Sequence, residues 1–293
     1  MIEQKYISCG LAGYAEEANT MTLTSDTYHS PQADAAYLSN SQWKRWLKCP
    51  MAEAAKQRGE WTEPPSMAML AGTLVDRELL GGSIEELPAA DQERLYTKKG
   101  ELRADFREAQ LLADRFRADP TFAAFCGAAQ THVILTGTIG GLPWRGELDL
   151  LLDDGSDPVL IADVKTTASF EDQWTHDPLT DRNVKVPWYD AWGYWRQAAI
   201  YRELWHQANP ERPMPECMLF AGQKGEPFGL QRVLLTNETR LDGEMARIAE
   251  LAERVLGYRE GRDVWACGKC DYCLARSTFE LAVVGENLRM YSE

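Results

Sequence analysis

Arg145-Gly146-Glu147-Leu148-Asp149-Leu150 and Ile161-Ala162-Asp163-Val164-Lys165-Thr166-Thr167 are the two stretches that decide the fold. Both read as β-strands, with apolar or β-branched positions recurring along them. Asp153-Asp154-Gly155 supplies a turn between them, so the two strands pair as a hairpin. Residues two apart on a strand point to the same side. Asp163 and Lys165 therefore share a face, and Val164 takes the other. In the plainest register Asp149 lies beside Asp163. Two carboxylates brought to one point repel each other and call for a cation. Mg²⁺ suits such a pair, because it takes hard oxygen ligands, keeps several waters and can hold a phosphodiester oxygen. The plainer alternative is an Asp163–Lys165 ion pair on a half-exposed strand.

Outward from this hairpin the chain alternates between helical and extended patterns. Upstream, Leu38 to Gln57 has helical periodicity with Ser39 or Ser41 as N-cap, and Trp61 to Ser66, with Pro64-Pro65, interrupts it. A second helix runs from Ser66 to Leu80 and stops at Gly81-Gly82; a third spans Leu102 to Phe116 and ends at Asp119-Pro120. His132–Gly137 is a further strand, joined through Gly140-Gly141 to Pro143–Leu152, and Val159–Thr166 completes a meander. Residues 168–190 read as a polar, aromatic-rich loop, and Tyr194–His206 as a helix. Strands Cys217–Ala221 and Leu230–Leu235 precede a helix from Glu238 to Tyr258, whose Leu241, Met245, Ile248, Ala252 and Val255 form one apolar stripe for the core. The expectation is an α/β fold with a central mixed β-sheet flanked by helices. Residues 1–37 form an irregular leader and 38–293 the folded domain.

The 293 residues, 44% hydrophobic and 26% charged, suffice for a sizeable core. No apolar run is long enough for a membrane span. Met1–Lys5 carries neither a basic nor an apolar signal region, so a cytoplasmic location is expected. Lys and Arg total 31 against 45 Asp and Glu, a net charge of −14. A broad electrostatic affinity for nucleic acid is thereby excluded, leaving only a local or metal-neutralised site.

Three of the seven cysteines crowd into Cys267-Gly268-Lys269-Cys270-Asp271-Tyr272-Cys273, a C-x₂-C-x₂-C run whose thiolates wrap a metal ion or an iron–sulfur cluster. A fourth ligand must come from elsewhere, and Cys49, in Cys49-Pro50, is the best candidate. Cys9, Cys126 and Cys217 are read as a leader thiol and two small buried residues. His29, His132, His176 and His206 are scattered, and none is assigned a role.

Taken together, these motifs resemble the PD-(D/E)xK nuclease superfamily, in its RecB-like and phage exonuclease branch. Gly146-Glu147-Leu148-Asp149 followed by Asp163-Val164-Lys165 matches the family's motif aspartate, hairpin and D-x-K. Gly72-Thr73-Leu74-Val75-Asp76 resembles its G-T-x-x-H, with Asp76 in the place of histidine; the alternative for Asp76 is an ordinary helix-surface carboxylate. Gln197 and Tyr201, within Tyr194–Tyr201, match its Q-x-x-x-Y and share one helical face. The segment Leu38–Pro50 is similar to the N-terminal part of iron–sulfur relatives, which include CRISPR-associated exonucleases and the AddB nuclease domain.

The resemblance implies a restriction-endonuclease-like core. It makes Asp149, Asp163, the Val164 carbonyl and Asp76 ligands of Mg²⁺ or Mn²⁺, and Lys165 the catalytic lysine. Gln197 and Tyr201 are then contacts to DNA or supports of the site. Cys49, Cys267, Cys270 and Cys273 become ligands of a [4Fe–4S] cluster, with Zn²⁺ as the alternative, joining the two ends of the domain. The implied activity is metal-dependent exonuclease cleavage of single-stranded DNA or DNA ends, in a phage or recombination setting, with a single-strand annealing protein as an expected partner. The competing expectation is a nuclease-like module that has lost cleavage and binds DNA or protein. Trp174, Trp188, Tyr189, Trp192, Tyr194 and Trp195 follow the catalytic strand, and their rings either stack unpaired bases beside Arg182, Lys185 and Arg196 or close the core.

Overall fold

The computed structural model describes residues 22–177 and 182–278, so Cys9 lies outside the described residues. Its elements in chain order are α1 (Ser25–Tyr28), α2 (Pro31–Ala36), α3 (Asn40–Lys48), α4 (Pro50–Gln57), α5 (Met67–Leu80), a 3₁₀ turn at Ile84–Glu86, α6 (Ala89–Leu95), α7 (Ala104–Arg117) and α8 (Pro120–Ala128). Then come β1 (Gln130–Ile139), β2 (Leu142–Leu152), β3 (Leu160–Thr167), β4 (Gln173–Asp177), β5 (Arg182–Val186), α9 (Trp188–Ala191) and α10 (Tyr194–Ala208). The chain continues through β6 (Glu216–Gln223), β7 (Leu230–Leu235), α11 (Glu238–Arg259) and α12 (Asp271–Leu274).

Five strands form one mixed sheet in the order β1-β2-β3-β6-β7. Only β3 and β6 are parallel; the other neighbours are antiparallel. Helices cover both faces. On one, Leu70, Leu74, Phe106 and Leu112 of α5 and α7 pack on Leu150, Ala162 and Met218. On the other, α10 and α11 pack with α3, burying Trp43, Trp46, Trp144, Leu204 and Val255. The expected stripe of α11 is there: Leu241, Ile248, Ala252 and Val255 are buried and Met245 packs partly against them.

Local chemistry explains the helix ends that matter for the site. Ser66 Oγ accepts the Met69 N–H at 3.2 Å and caps α5, which stops at the left-handed Gly81. Ser39 caps α3 in a reciprocal box: Gln42 N–H donates to its hydroxyl and Gln42 Oε1 accepts the Ser39 N–H.

Four expectations need correcting. The helix read from Leu38 to Gln57 is two helices, because Pro50 lacks the N–H needed to continue α3 and restarts the chain as the first residue of α4. Cys49 sits at that break with its thiol buried. Residues 168–190 are not a loop: β4 and β5 pair as a separate antiparallel hairpin, with β-branched Thr175 opposite Val184, and α9 follows. Pro120 does not merely end a helix; with Asp119 Oδ1 accepting the Thr121 and Phe122 N–H groups, it begins α8. The described part of the leader, residues 22–37, carries α1 and α2 and is not irregular. Its Asp34 binds the buried Arg145 guanidinium, which also lies 4.7 Å from the Tyr28 ring, and Leu38 exchanges main-chain hydrogen bonds with Pro143 and Arg145. Turn-rich composition hid two short helices that β2 holds in place.

Candidate active site

β2 and β3 separate at the site. Their ladder runs from Leu152–Leu160 to Leu150–Ala162 and ends there, while β3 stays paired with β6 as far as Thr167. Asp149 is the next residue of β2 and stands across from Asp163. Its Oδ2 accepts the Val164 N–H at 2.7 Å, so a side chain spans the gap that the diverging main chains open. Asp163 is buried, at 5% exposure, and its Oδ2 is in direct contact with the Lys165 ammonium. Val164 points to the opposite face and packs on the α5–α7 core, as strand alternation predicts.

These charges shape one another. Burial, and then the neighbouring charge of Asp163, push the Asp149 carboxyl well above the usual carboxylate range. Burial opposes the Lys165 ammonium, but Asp163 and Asp149 outweigh it and hold the lysine above its ordinary value. Burial also raises Asp76, on the cleft-facing side of α5 one turn after Gly72. Gly72 itself lies against Thr166 of β3. The three carboxylates outnumber the one ammonium, and that imbalance in a partly buried setting suits a divalent cation held by oxygen donors. Their oxygens are not drawn together as closely as the cysteines are: among the described residues, only the four thiols have all their ligand atoms within 4.8 Å of one another.

Asp76, Asp149, Val164 and Lys165 open on a cleft of about 1410 Å³ whose walls are α5, the α1 turn and Trp192. Gln197 and Tyr201 do not line it. They approach Asp163 from α10: Gln197 Nε2 donates to Asp163 Oδ1 at 3.2 Å and to Tyr201 Oη at 2.9 Å. Of the two expected roles, support of the site is the one this arrangement fits. Gly146 makes it sterically feasible, since a Cβ there would stand 2.9 Å from two carbons of the Tyr201 ring. Gly146→Ala is therefore expected to push that ring off β2 and cost about 1–3 kcal/mol, measured by chemical denaturation.

Two cleft residues were not singled out from the sequence. His132 of β1 stands opposite Asp149 of β2, since its neighbours pair Thr131 with Leu150 and Val133 with Leu148. It has a left-handed φ of 53°, and its Nδ1 lies 3.2 Å from Glu147 Oε1. The hairpin register set by Gly140-Gly141 already implies that position. Lys224, just beyond β6, is the other, placed in the cleft wall.

The aromatic run divides. Trp188 and Trp195 are core residues at 1% and 7% exposure, whereas Trp174 and Trp192 are 71% and 55% exposed. Tyr194 faces the cleft with its ring 5.4 Å from the Lys165 ammonium. Arg182 and Lys185 are exposed on β5, but Arg196 is engaged by Asn40 Oδ1 at 2.9 Å.

At the α3–α4 break, Cys49 meets Cys267, Cys270 and Cys273. Cys49 Sγ lies 3.7 Å from Cys273 Sγ and accepts the Cys267 N–H at 3.4 Å. The Lys269 amide, with help from Cys270, pulls the Cys267 thiol down to about 6, while burial pushes Cys49 up. A four-thiol group of this kind can hold a metal ion or a cluster. Cys126 and Cys217 are half-buried and buried, apart from it.

A family model described as "PDDEXK-like domain of unknown function (DUF3799)" matches residues 39–276, and the chain belongs to this family. Among solved structures the chain is similar to a "Putative exonuclease" from Eubacterium rectale, with 23% identity over 90% of this chain and 96% of that one, at a TM-score of 0.73. At that identity the likeness establishes the shared fold, which is the mixed-sheet α/β core expected from the motifs. A second structure, of SSO0001, aligns over 83% of this chain and 84% of its own at 13% identity; its TM-score of 0.32 carries no argument. Comparison with curated proteins gives no match. No helix among the described residues is long and apolar enough to cross a membrane.

Proposed function

We propose that this protein is a divalent-metal-dependent deoxyribonuclease, an exonuclease acting on single-stranded DNA or DNA ends in a phage or a recombination or repair setting. The observation that carries the reading is the meeting of Asp149, Asp163 and Lys165 where β2 and β3 part, with Asp149 and Lys165 lining an open cleft and Asp163 buried against Lys165. Asp149, Asp163 and the Val164 carbonyl would hold Mg²⁺ or Mn²⁺, with Asp76 facing them from α5. When bound, such an ion polarises the scissile phosphate and supplies hydroxide at neutral pH.

The chain's own groups do the rest. The Lys165 ammonium stabilises charge that builds on the phosphate oxygens. Gln197 and Tyr201 keep the Asp163 carboxylate in one orientation. Trp192 and Tyr194 offer ring faces to unpaired bases, and Lys224 offers a cation to the backbone. This local recognition suits a chain of net charge −14, which lacks the means for broad electrostatic capture. The reading places the enzyme in the cytoplasm, with a single-strand annealing protein as partner.

Incubation of linear DNA labelled at the 5′ or the 3′ end tests this. Label should be released as short products from one end, only with Mg²⁺ or Mn²⁺, and chelator should abolish it. Intact single- and double-stranded substrates under all these conditions would replace the nuclease reading with that of a binding module.

A further inference from the structure

The motif resemblance implies a [4Fe–4S] cluster at the four cysteines, and sulfur spacing tests that implication. Four ligands around one centre form a tetrahedron with edges about 1.6 times the centre-to-sulfur distance. Zinc bonds thiolate at about 2.3 Å, so its four sulfurs stand about 3.8 Å apart. A cubane places irons and sulfides between the thiolates, and its cysteine sulfurs stand about 6.5 Å apart. Here the Cys49–Cys273 separation is 3.7 Å, the Cys267–Cys273 separation is 4.0 Å, and all four sulfurs lie within 4.8 Å of one another. Every edge is too short for a cubane by more than an ångström, and the Cys49–Cys273 and Cys267–Cys273 edges match a single tetrahedral ion.

The surrounding main chain is arranged for the same purpose. Gly268 has a left-handed φ of 71°, and the turn it makes brings the Cys270 N–H onto Cys267 Sγ at 3.3 Å. The Cys267 N–H in turn donates to Cys49 Sγ. Amide donors on thiolate sulfur offset the negative charge that four such ligands gather around one dication. Tyr272 is buried beside the group, with the Trp61 ring 5.6 Å away and the Arg276 guanidinium 4.0 Å from its centre.

We infer that Cys49, Cys267, Cys270 and Cys273 bind one zinc ion, not an iron–sulfur cluster, and that this ion clasps the α3–α4 break to the segment beyond α11. Binding releases the remaining thiol protons to solvent and involves no redox step.

The test is elemental analysis, with an absorbance spectrum, of the full chain purified anaerobically from cells supplied with both iron and zinc. The expected result is about one zinc per chain, negligible iron and no broad band near about 400 nm. About four irons per chain with that band overturns the inference, as does a chain holding neither metal. Cys273→Ser should lose the zinc and Cys126→Ser, on α8, should keep it; zinc retained in Cys273→Ser also overturns the inference. If Cys273→Ser does not fold, titration of the native chain with a thiol-specific mercurial should free about one zinc as about four thiols react. Zinc that stays bound after those thiols are modified has the same adverse meaning. None of these readouts uses DNA, so they stand or fall apart from the nuclease reading.

Discussion

Lys165→Ala is expected to lower Mg²⁺-dependent DNA cleavage about 10³-fold, the scale on which a preorganised charge stabilises a transition state. The lysine is mostly buried, its ammonium contacts Asp163, and Asp149 lies close by. If this were only a structural ion pair, truncation would strand two carboxylates and reduce stability, with activity falling only as the fold fails. The catalytic reading differs in its metal dependence. The ammonium competes with any cation for Asp163, so removing it should leave Mn²⁺ affinity unchanged or tighter. Asp163→Ala should weaken Mn²⁺ binding and abolish cleavage together. Calorimetric Mn²⁺ titration of both variants, beside initial rates on end-labelled DNA and thermal melts, separates the two cases. Cleavage by Lys165→Ala within about threefold of the native rate would remove the lysine from the chemistry.

The reach of the sequence can be traced residue by residue. Asp149, Asp163 and Lys165 were legible because strand alternation and a turn at Asp153-Asp154-Gly155 fix which side chains can meet, whatever surrounds them. The meeting of Cys49 with the three later cysteines was legible, but not the helix break at which it sits, although Pro50 states that break in its chemistry. A lone histidine in a strand carries no motif, so His132 has no role in the sequence reading; the register set by the Gly140-Gly141 turn is what brings it opposite Asp149. The ordered segment 22–37 was harder to foresee. Its helices are one or two turns long, and they exist because Arg145, far away in sequence, is buried against Asp34 and Tyr28. The β4–β5 hairpin was missed for a related reason. It stands outside the main sheet, so no buried face imposes a hydrophobic alternation on it. The aromatic run shows the same limit, since only three-dimensional placement sends Trp188 and Trp195 inward and Trp174 and Trp192 outward.

Cys49→Ser should lower the melting temperature by roughly 10 °C, from a loss of about 3–5 kcal/mol. A zinc ion bound only by the folded chain stabilises it by its binding free energy, and in small zinc domains that is nearly the whole of folding. Here the sheet and its helices have extensive apolar cores of their own, so the loss should be local. Among the described residues, the segment beyond α11 is also tied by the Met51 N–H to the Trp265 carbonyl at 3.2 Å, the Trp265 indole to Tyr258 Oη at 3.2 Å, the Trp61–Tyr272 contact and the Arg276 guanidinium 5.4 Å from the Trp61 ring. Those few contacts should not hold it without the ion. Hydrogen exchange should therefore rise across residues 265–278 while β3 and β6 stay protected. Cys49 is also buried, and serine there leaves a polar group in an apolar setting, which alone costs stability. A zinc chelator separates the two effects. It should reproduce the temperature shift in the native chain and add nothing in Cys49→Ser. A shift caused by the substitution but not by chelation, in a chain shown to have surrendered its metal, would mean that the thiol is needed for packing and that the ion does not hold the ends together.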